Sequence, residues 1–536
     1  MKKLLSLIMA LIISLSLVPS VSCATDDGNL SSTEINAAGN RALNYLQDRQ
    51  QEILDSNSNA KYTILASYYP GKAGKAVTIE LENCGFTYDN SLAALAFISA
   101  GDKTRSSYIL DGFEYALTHD RSGEIKLRNA YRTGTLADSN FGALLPGFWN
   151  GSWSEDAYQV GTNLGNTSWA VIAMLQYDRI FKTDRYLNSA TKAMDYVLNN
   201  FKNDAYPGIS SGYDGWAENG SQSIPLKARK DVQWYTYKST ECNLDAAVAF
   251  KNLYKATKKA KYKDAYEDCL KMVKSMYVSS EKRYVVGTTT DGKTKNTKNT
   301  FTDAIAWPVL AIYDELNDKT AITESLKNMI TEGGLPFVCL GIPADKKFES
   351  TGGIWHEGSI FGSMALKKLG CTQETNAIMT KVIANQDRSG AFTSASTSLF
   401  ADNTWRYGCV DYHIAPTAWM VMYAKNFNPF NFGDTSTPVA KKPAKPTSVT
   451  LKAGKKSLTV KWAKPSKANL KNISSYELRY SMKSNMANST VVKIGKSKTS
   501  ASIKKLKSKR KHYVQLRSIN GDKKSAWTSK KSVKVR

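Results

Sequence analysis

The sequence predicts an all-α toroid of six helix pairs, (α/α)6, followed by a small all-β immunoglobulin-like sandwich. Six times an apolar helical segment opens with a polar or acidic cluster and pairs with a more amphipathic segment. The first members, such as SLAALAF and IAWPVLAIY, are apolar on most faces, whereas their partners keep a polar stripe. This contrast predicts an inner ring of buried helices inside an outer ring. A repeat of helical pairs can also form an open solenoid, but the irregular loops and an unpaired helix at each end favour closure.

The individual helices follow from apolar residues spaced three or four apart. Residues 35–53 are predicted to form the first outer helix, which closes onto the last inner helix at 416–424. Between them the sequence predicts five inner and outer pairs: 88–100 with 108–117, 167–180 with 186–201, 241–256 with 262–276, 302–316 with 321–330, and 357–369 with 375–385. The toroid is expected to occupy residues 25–433.

A linker rich in Pro, Thr, Ser and Lys is predicted at 434–447, and the sandwich at 448–536. Short alternating runs bounded by turn residues predict strands at 448–451, 457–462, 475–480, 500–503, 512–518 and 531–535. The two modules are therefore unequal in size and different in fold class.

The amino terminus has the three regions of a secretory signal peptide. Two lysines precede an apolar stretch from Leu4 to Val18, and a small-residue site ends at Ala24. We expect residues 1–24 to be removed and the protein to be secreted or associated with the cell surface. Cys23 could instead carry a lipid anchor, but Ser20 stands where lipoprotein signals usually have Leu. No other apolar run approaches ~18 residues, so the mature chain is expected to have no transmembrane span.

Positive charge is concentrated in the C-terminal region. From Lys441 to Arg536 there are 28 Lys and Arg residues against only Glu477 and Asp522, and this region accounts for the whole formal net charge of +26. The larger module is neutral. A field of this sign attracts anionic surfaces, which makes an anionic cell-wall polymer a candidate partner, although exposed lysines can also serve only to solubilise a domain. Nucleic acid is not expected, because no recognition motif is present.

Cofactor and metal signals are not found in the sequence. The six cysteines after Cys23 are scattered and form no Cys-x-x-Cys pair, which argues against a zinc site and against a disulfide scaffold. The chain has no glycine-rich phosphate loop, calcium-loop spacing or His-Glu-x-x-His motif. We therefore expect no cofactor and no catalytic metal; the alternative is a cation held by loop carboxylates.

The polar openings of the inner helices predict a site at one end of the toroid. Helices that begin alike direct their first turns to one place, and this would bring together Asp89, Glu241, Asp303 and Glu357. Two carboxyl groups that flank a sugar can protonate a leaving oxygen and activate a water, if one pKa is raised and the other stays low. An acid in a first helical turn can also be only a cap, and Thr300-x-x-Asp303 matches a capping box.

Further residues near these openings are predicted to bind substrate, because flat aromatic faces stack on sugar rings and polar groups bond to hydroxyls. Asp245 follows Glu241 by four residues and so shares its helix face. The two histidines of the openings can act in the site or only donate structural hydrogen bonds. The predicted binding residues are Asp156, Trp153, Asp245, Trp355, His356, Trp405 and His413.

Several segments carry a resemblance to known families. The segments DNSLAALAF, GTNLGNTSWAVIAML, STECNLDAAVAFKNLY, TDAIAWPVLAIY and WHEGSIFGSMALKKLG make residues 33–430 resemble the six-hairpin glycosidase-like (α/α)6 toroid superfamily. The tail segments LTVKW, SYELRYS, YVQLRS and SAWTSKKSVKV resemble a fibronectin type III domain, with Trp462 and Tyr513 expected in its core. The first resemblance implies a carbohydrate-active enzyme with acids at the mouth of the inner ring.

The leading functional hypothesis is a secreted glycoside hydrolase that cleaves poly- or oligosaccharides, with Glu241 as general acid and Asp303 or Glu357 as base. A polysaccharide lyase would use Tyr88 or His413 as base, with Arg406 neutralising a uronate. A sugar epimerase would pair His356 with His413. A non-catalytic cell-wall or glycan-binding protein is the alternative from another class, in which the acids only cap helices.

Overall fold

The computed structural model describes residues 30–71, 77–135, 143–149, 151, 153–201, 204–215, 233–316, 318–331, 333–335, 338–340, 349–350, 353–397, 399–401, 405–433, 443–463, 465–466, 473, 475–520 and 523–536. The predicted signal peptide with Cys23, and most of the predicted linker, lie outside these residues. Within them, no helix combines the length and the apolar character that a membrane crossing requires.

Thirteen α-helices form the larger module within the described ranges. They are α1 (Ser32–Ser56), α2 (Thr87–Ala100), α3 (Lys103–Thr118), α4 (Ala157–Val160), α5 (Leu164–Phe181), α6 (Leu187–Asn200), α7 (Thr240–Thr257), α8 (Ala260–Ser275), α9 (Thr302–Ile312), α10 (Lys319–Asn328), α11 (His356–Lys368), α12 (Thr372–Ala384) and α13 (Ile414–Ala424). Apart from the single-turn helix α4, these are the twelve helices that the sequence predicts.

The inner helices contact one another in a closed cycle. The order is α2, α5, α7, α9, α11 and α13, and α13 returns to α2. The outer helices α3, α6, α8, α10 and α12 each pack on the inner helix that precedes them, and α1 packs on α13 and α2. The double ring and its head-to-tail closure are therefore confirmed, and the open solenoid is not what the chain forms.

One register relates the leading ends of the inner helices. The second residue is Glu241 in α7, Asp303 in α9 and Glu357 in α11, whereas it is Tyr88 in α2. Because these helices are neighbours in the ring, equal positions in their first turns lie at one level. The recurrence in the sequence therefore reflects a layer of functional groups around the ring axis.

The fourth residues of the inner helices hold the loops that precede the ring. The Asn90 side chain accepts from the Leu65 N–H and donates to the Leu65 carbonyl, at 2.9 and 3.0 Å. Asn243 makes the same pair of bonds with Ile209, at 2.8 and 2.9 Å. The two side-chain amides thus satisfy the buried backbone groups of Leu65 and Ile209 as a neighbouring strand would, because buried backbone groups need hydrogen bonds. Part of the polar character of the helix openings is structural for this reason.

The sixth residues close the centre of the ring. Trp169, Trp307 and Trp419 occupy this position in α5, α9 and α13, and all three are fully buried. The Trp169 ring centroid lies 5.4 Å from that of Trp307 and 5.9 Å from that of Trp419, in edge-to-face arrangements typical of packed aromatic rings. Phe430 packs against two of these indoles at 5.1 and 5.5 Å. The indoles form a hydrophobic floor below the layer of second residues.

The opening of α9 differs from the prediction. Thr300 does not cap the helix: its hydroxyl accepts a hydrogen bond from Arg283, and the N-cap residue is Phe301, which provides no side-chain cap. The predicted capping box of Thr300 and Asp303 is therefore wrong. The helix also ends at Ile312 instead of 316, and a 3-10 turn follows at Tyr313–Glu315. Asp303 is thus not required for that cap.

Short strands order the loops around the leading ends of the inner helices. Tyr68–Tyr69 and Phe392–Thr393 both pair with Tyr412–His413, so that His413 stands opposite Tyr68 and Phe392. The other short strands are Cys84–Phe86, Ala130–Arg132, Phe148–Trp149, Trp153–Ser154, Thr162–Asn163, Gly212–Asp214, Gln233–Trp234, Tyr277–Val278, Arg283–Tyr284, Asn299–Phe301, Val338–Leu340, Glu349–Ser350, Leu399–Ala401 and Trp405–Tyr407. These pairings fix the segments that lead into the inner helices.

The C-terminal module is a sandwich of two antiparallel sheets. One contains Thr450–Gly454, Ser457–Lys461 and Ser500–Ile503, and the other contains Thr490–Gly495, Ser475–Ser481, Lys511–Asn520, Lys523–Lys524 and Lys531–Lys534. The strand at 490–495 was not predicted, because most of its residues are exposed and so do not alternate. Trp462 lies in the core as expected, but Tyr513 is only half-buried and Tyr476 fills the core beside Trp462 instead.

Candidate functional site

The predicted carboxylates meet at the leading end of the inner ring. Glu241 lies close enough to Asp303, Asp245 and Glu357 for each to raise its pKa, and Glu357 interacts in the same way with Asp89. Like charges in a poorly hydrated place favour the protonated forms. The acids are therefore one electrostatic cluster and not separate helix caps on different faces.

Glu241 is the most accessible residue of this cluster. The residue keeps partial exposure, whereas Asp303, Glu357 and Asp245 are buried. Burial of its carboxyl group is nevertheless the main reason why the pKa of Glu241 is raised well above its usual value, followed by the charges of Asp303, Asp245 and Glu357. Of the four acids, Glu241 is therefore the one most open to a ligand.

Glu357 is held by two donors from different inner helices. The Tyr88 hydroxyl donates to its Oε1 at 2.5 Å and the Trp419 indole N–H donates to the same oxygen at 3.1 Å. Burial raises the pKa of Glu357 to about 7, against the lowering effect of His413 and these two hydrogen bonds. The carboxyl group is therefore fixed in orientation and titrates near neutral pH.

Asp303 and Asp245 lie deeper than Glu241. Oδ1 of Asp303 accepts the Ala304 N–H at 2.6 Å, and burial raises the pKa of Asp303 to about 7. Asp245 is the sixth residue of α7 and shares the level of the central indoles. It is fully buried, and neither of its oxygens has a hydrogen-bond partner among the described residues. Burial raises the pKa of Asp245, and the charge of Asp303 raises it further. The nearby Trp169 indole has a smaller, lowering effect, although no hydrogen bond joins the two side chains.

Asp89 forms a second pair with His413 beside this cluster. His413 Nε2 lies 3.1 Å from Oδ2 of Asp89, and its Nδ1 lies 3.0 Å from the Ser394 hydroxyl. Its ring stacks on Tyr68 with centroids 4.4 Å apart. Both imidazole nitrogens and one face are therefore engaged, which makes His413 an organiser of the site wall.

His356 is buried behind the same wall. Its Nδ1 bonds to the Thr393 carbonyl at 2.8 Å, and its Nε2 has no partner among the described residues. Burial lowers its pKa, so the neutral ring is favoured. His356 therefore makes a structural hydrogen bond, which is the alternative to a direct role in the site.

The predicted aromatic and acidic binding residues are not equally placed. Trp355 is buried and packs edge-on against Phe361 at 5.4 Å, which is not the accessible position expected of a sugar-stacking residue. Trp153 lies in the strand paired with Phe148–Trp149, and Trp405 in the strand paired with Leu399–Ala401, but their side chains lie outside the description. Asp156 is exposed and caps α4 through the Gln159 N–H at 2.9 Å.

Four half-buried tyrosines surround the carboxylates. Burial is the main cause of the raised pKa of each tyrosine. The charge of Glu357 further raises the pKa of Tyr88 and Tyr68, and the charge of Glu241 further raises that of Tyr158 and Tyr237. Sequence reasoning identified only Tyr88 among them. Tyr158 and Tyr237 precede the inner helices α5 and α7 by a few residues, and this placement is the signal that could have identified them. Among the side chains that the structure describes, tyrosines therefore form the aromatic surface around these carboxylates.

The chemistry available to this cluster is proton transfer. It combines carboxyl groups that titrate near neutral pH with phenol and indole donors. Among the residues that the structure describes, no group of three or more His, Cys, Asp or Glu side chains could hold a metal ion. The arrangement can protonate one ligand atom while a second carboxylate accepts a proton from another.

Comparisons with known proteins give the following. No curated protein matches the chain. Solved structures with similar chain traces include a wild-type glycosidase (13% identity, TM-score 0.48, covering 74% of this chain and 97% of that one). They also include a cellobiose 2-epimerase from Bacillus thermoamylovorans (11%, 0.49, 73% and 100%) and an alpha-amylase from Clostridium perfringens (12%, 0.46, 69% and 95%).

The toroid fold is assigned from the ring contacts described above, because these TM-scores carry no argument about activity. The smaller module is identified by its sequence. Residues 444–533 match the family model for the fibronectin type III domain, in agreement with the two antiparallel sheets. The C-terminal module is a fibronectin type III domain.

Proposed function

We propose that the toroid is a glycoside hydrolase that cleaves poly- or oligosaccharides with inversion, and that Glu241 is its general acid. The observation that carries this proposal is the position of Glu241: it is the accessible member of a cluster of otherwise buried carboxyl groups. A general acid must hold its proton at working pH and reach the leaving oxygen. The raised pKa of Glu241 meets the first condition and its partial exposure meets the second.

Glu357 is the base in this scheme. Two donors fix its Oε1, which leaves Oε2 to accept a proton from water. An inverting enzyme needs room for that water, with carboxyl groups ~6.5–9.5 Å apart. Asp303 and Asp245 do not contact the sugar in this proposal. Ionisation of either one opposes the ionisation of Glu241, because like charges repel within one buried cluster.

The lyase alternative is less well supported. Its proposed base Tyr88 donates its proton to Glu357, and its pKa is raised well above the usual value by burial and by that carboxylate. A phenol in this state is a poor base at neutral pH. The cluster of acids would also repel a uronate. The Arg406 side chain, its proposed counter-ion, lies outside the description.

Export is part of the proposal and stems from the predicted signal peptide. A secreted or surface-bound hydrolase would act on polymers that do not enter the cell. Neutral glycans fit the acidic mouth better than uronates do, because they bring no charge into the cluster.

The test is a screen of the purified protein against neutral glycans with detection of reducing ends. On the glycan that responds, E241Q and E357Q should each lose about 10²- to 10⁴-fold in kcat, the usual contribution of general acid–base catalysis. The control E267Q changes an exposed acid on the outer helix α8 and should keep full activity. Proton NMR of the first product should give the inverted anomer. Binding of a glycan without turnover, or full activity of both active-site variants, would favour the non-catalytic glycan-binding protein.

A further inference from the structure

The fibronectin type III domain has one end that is built from cations. Three segments meet there: the turn at 455–456, the stretch 504–511 and the C-terminal residues 534–536. Their charged residues, which we call the basic end, are Lys455, Lys456, Lys504, Lys505, Lys507, Lys509, Arg510, Lys511, Lys534 and Arg536. All ten are exposed.

Backbone hydrogen bonds hold these segments together. The Lys456 N–H donates to the Arg536 carbonyl at 2.9 Å, and the Leu506 N–H donates to the Lys456 carbonyl at 2.9 Å. The Lys509 N–H donates to Val535 at 2.9 Å, and the Val535 N–H donates to Arg510 at 3.0 Å. The cations are therefore gathered by the fold of the domain and are not a chance run in the sequence.

Nothing in the described part of the domain neutralises this charge. Glu477 is bonded to Arg517 at 2.6 Å and to Lys524 at 3.6 Å, and neither partner belongs to the basic end. No member of the basic end forms an ion pair within the described residues. Ten like charges on one small surface repel each other, and repulsion of this kind opposes folding unless a counter-charge is bound.

Three lysines of the basic end have a left-handed backbone conformation. Lys456, Lys505 and Lys509 have φ values of 48°, 60° and 59°. Lysines of the toroid adopt the same conformation at positions 182, 258 and 282. Glycine and asparagine adopt this region with less strain than a long side chain does, so asparagine can replace these lysines without disturbing the backbone.

We propose that the basic end binds an anionic polysaccharide and so attaches the enzyme to a charged glycan surface while the toroid acts elsewhere. This inference rests on the charge and backbone of the domain and does not depend on the proposed hydrolase activity. Eight of the ten cations are lysines, which act as point charges on flexible stems and do not require the fixed geometry of a bidentate arginine contact. Such a surface suits a polymer with repeated, mobile anionic groups.

The composition of the basic end favours a polysaccharide over other polyanions. The ring of Tyr513, which Lys511 covers at 5.7 Å, is half-buried, so the basic end lacks the row of open stacking platforms by which proteins hold single-stranded nucleic acid. The basic end also presents no large exposed apolar side chain for insertion into a lipid surface; Leu506 is buried beneath it. Electrostatic attraction to a flexible anionic chain is the interaction that these residues can supply.

The test measures binding of the full-length protein to immobilised polygalacturonate at several salt concentrations. The triple variant K456N/K505N/K509N removes three charges and relieves three left-handed lysines, so it should fold at least as well as the parent. Its affinity should fall at least tenfold at low salt. The slope of log K against log salt should become shallower by about two to three units, by analogy with counterion release from other linear polyanions.

The matched control is K483N/K496N/K498N, which removes three exposed lysines from loops outside the basic end. It should retain most of the affinity. Equal loss in the two triple variants would show that only the total charge matters, and would overturn the assignment to the basic end, as would unchanged binding in the first. Tighter binding to a double-stranded DNA 30-mer or to phosphatidylglycerol vesicles at the same salt would overturn the choice of polysaccharide. Thermal melts of each variant verify folding.

Discussion

The Tyr88 hydroxyl lies 2.5 Å from Oε1 of Glu357 and donates a hydrogen bond to it. The two residues occupy the same position in α2 and α11, helices that are separated in the ring only by α13. The Trp419 indole from α13 completes the contact at 3.1 Å. The carboxylate that we propose as base is thus oriented by the next two inner helices of the ring, α13 and α2.

Removing the Tyr88 hydroxyl should therefore raise the pKa of Glu357. The Y88F variant loses a bond that favours the carboxylate form, since hydrogen bonds to a charged group lower the pKa of an acid. We expect the rising limb of the pH profile of kcat to move to higher pH and kcat at pH 6 to fall. The control Y254F changes a tyrosine on α7 away from the cluster. A profile that Y88F leaves unmoved would remove Glu357 as the base.

The stability of the toroid should decrease as the pH rises from about 4.5 to about 7. In the folded chain Asp303 and Glu357 keep their protons to about pH 7, whereas their ordinary values are 3.8 and 4.5. Between these limits the folded state binds more protons, so the free energy of unfolding falls, by about 1.4 kcal/mol per pH unit for each group. D303N/E357Q should flatten this decline and be more stable than the parent at pH 8. Urea unfolding followed by tryptophan fluorescence at several pH values measures both effects.

Asp245 should control the proton on Glu241 without contacting substrate. The D245N variant keeps the shape of the side chain and removes a charge that raises the pKa of Glu241. We expect the falling limb of the pH profile of kcat, which reports loss of the acid's proton, to shift to lower pH while KM changes little. A loss of kcat at every pH with unchanged limbs would instead indicate a direct role in the reaction. E267Q again serves as the control.

A buried ion pair supports one wall of the site. Arg128 bonds to Asp120 through Nε at 2.5 Å and Nη2 at 2.9 Å, and the Arg128 carbonyl accepts the Thr87 hydroxyl at the start of α2. The pKa of Asp120 is lowered to about 2: burial opposes this, but the Arg128 charge and hydrogen bonds outweigh it. D120N removes the carboxylate charge that stabilises this buried cation and should cost about 3–5 kcal/mol of unfolding free energy. The same substitution at the exposed Asp314 should cost little. The lowered pKa of Asp120 contributes stability that is present above pH 3.8 and lost as the pH falls to about 2. The free energy of unfolding of the parent should therefore also decrease over this pH range.

The sequence predicted the rings well because buried and half-buried helices differ in composition along their whole length. It also located the carboxylates, since Glu241, Asp303 and Glu357 share one position in successive inner helices. It failed where a single residue can serve two purposes. The tryptophan of the α11 opening, Trp355, was assigned to substrate, but it packs in the core. No local pattern distinguishes an aromatic residue that faces the mouth from one that faces the core.

The deeper layer was missed for a related reason. Asp245 is one helical turn beyond Glu241, and its lack of a hydrogen-bond partner among the described residues depends on what helices α5 and α9 place around it. Tyr68 and Tyr237 come from segments outside the helices, where spacing carries little information, and Tyr158 lies in the single-turn helix α4. Contacts between elements distant in the chain therefore determine the second half of the site.

The three indoles at the centre of the ring have a consequence for how a polymer could be processed. Trp169, Trp307 and Trp419 seal the toroid, so a sugar chain cannot be threaded through it from one opening to the other. In the hydrolase that we propose, substrate and product would therefore share one opening. Each cleaved fragment would leave through it before the next part of the glycan enters.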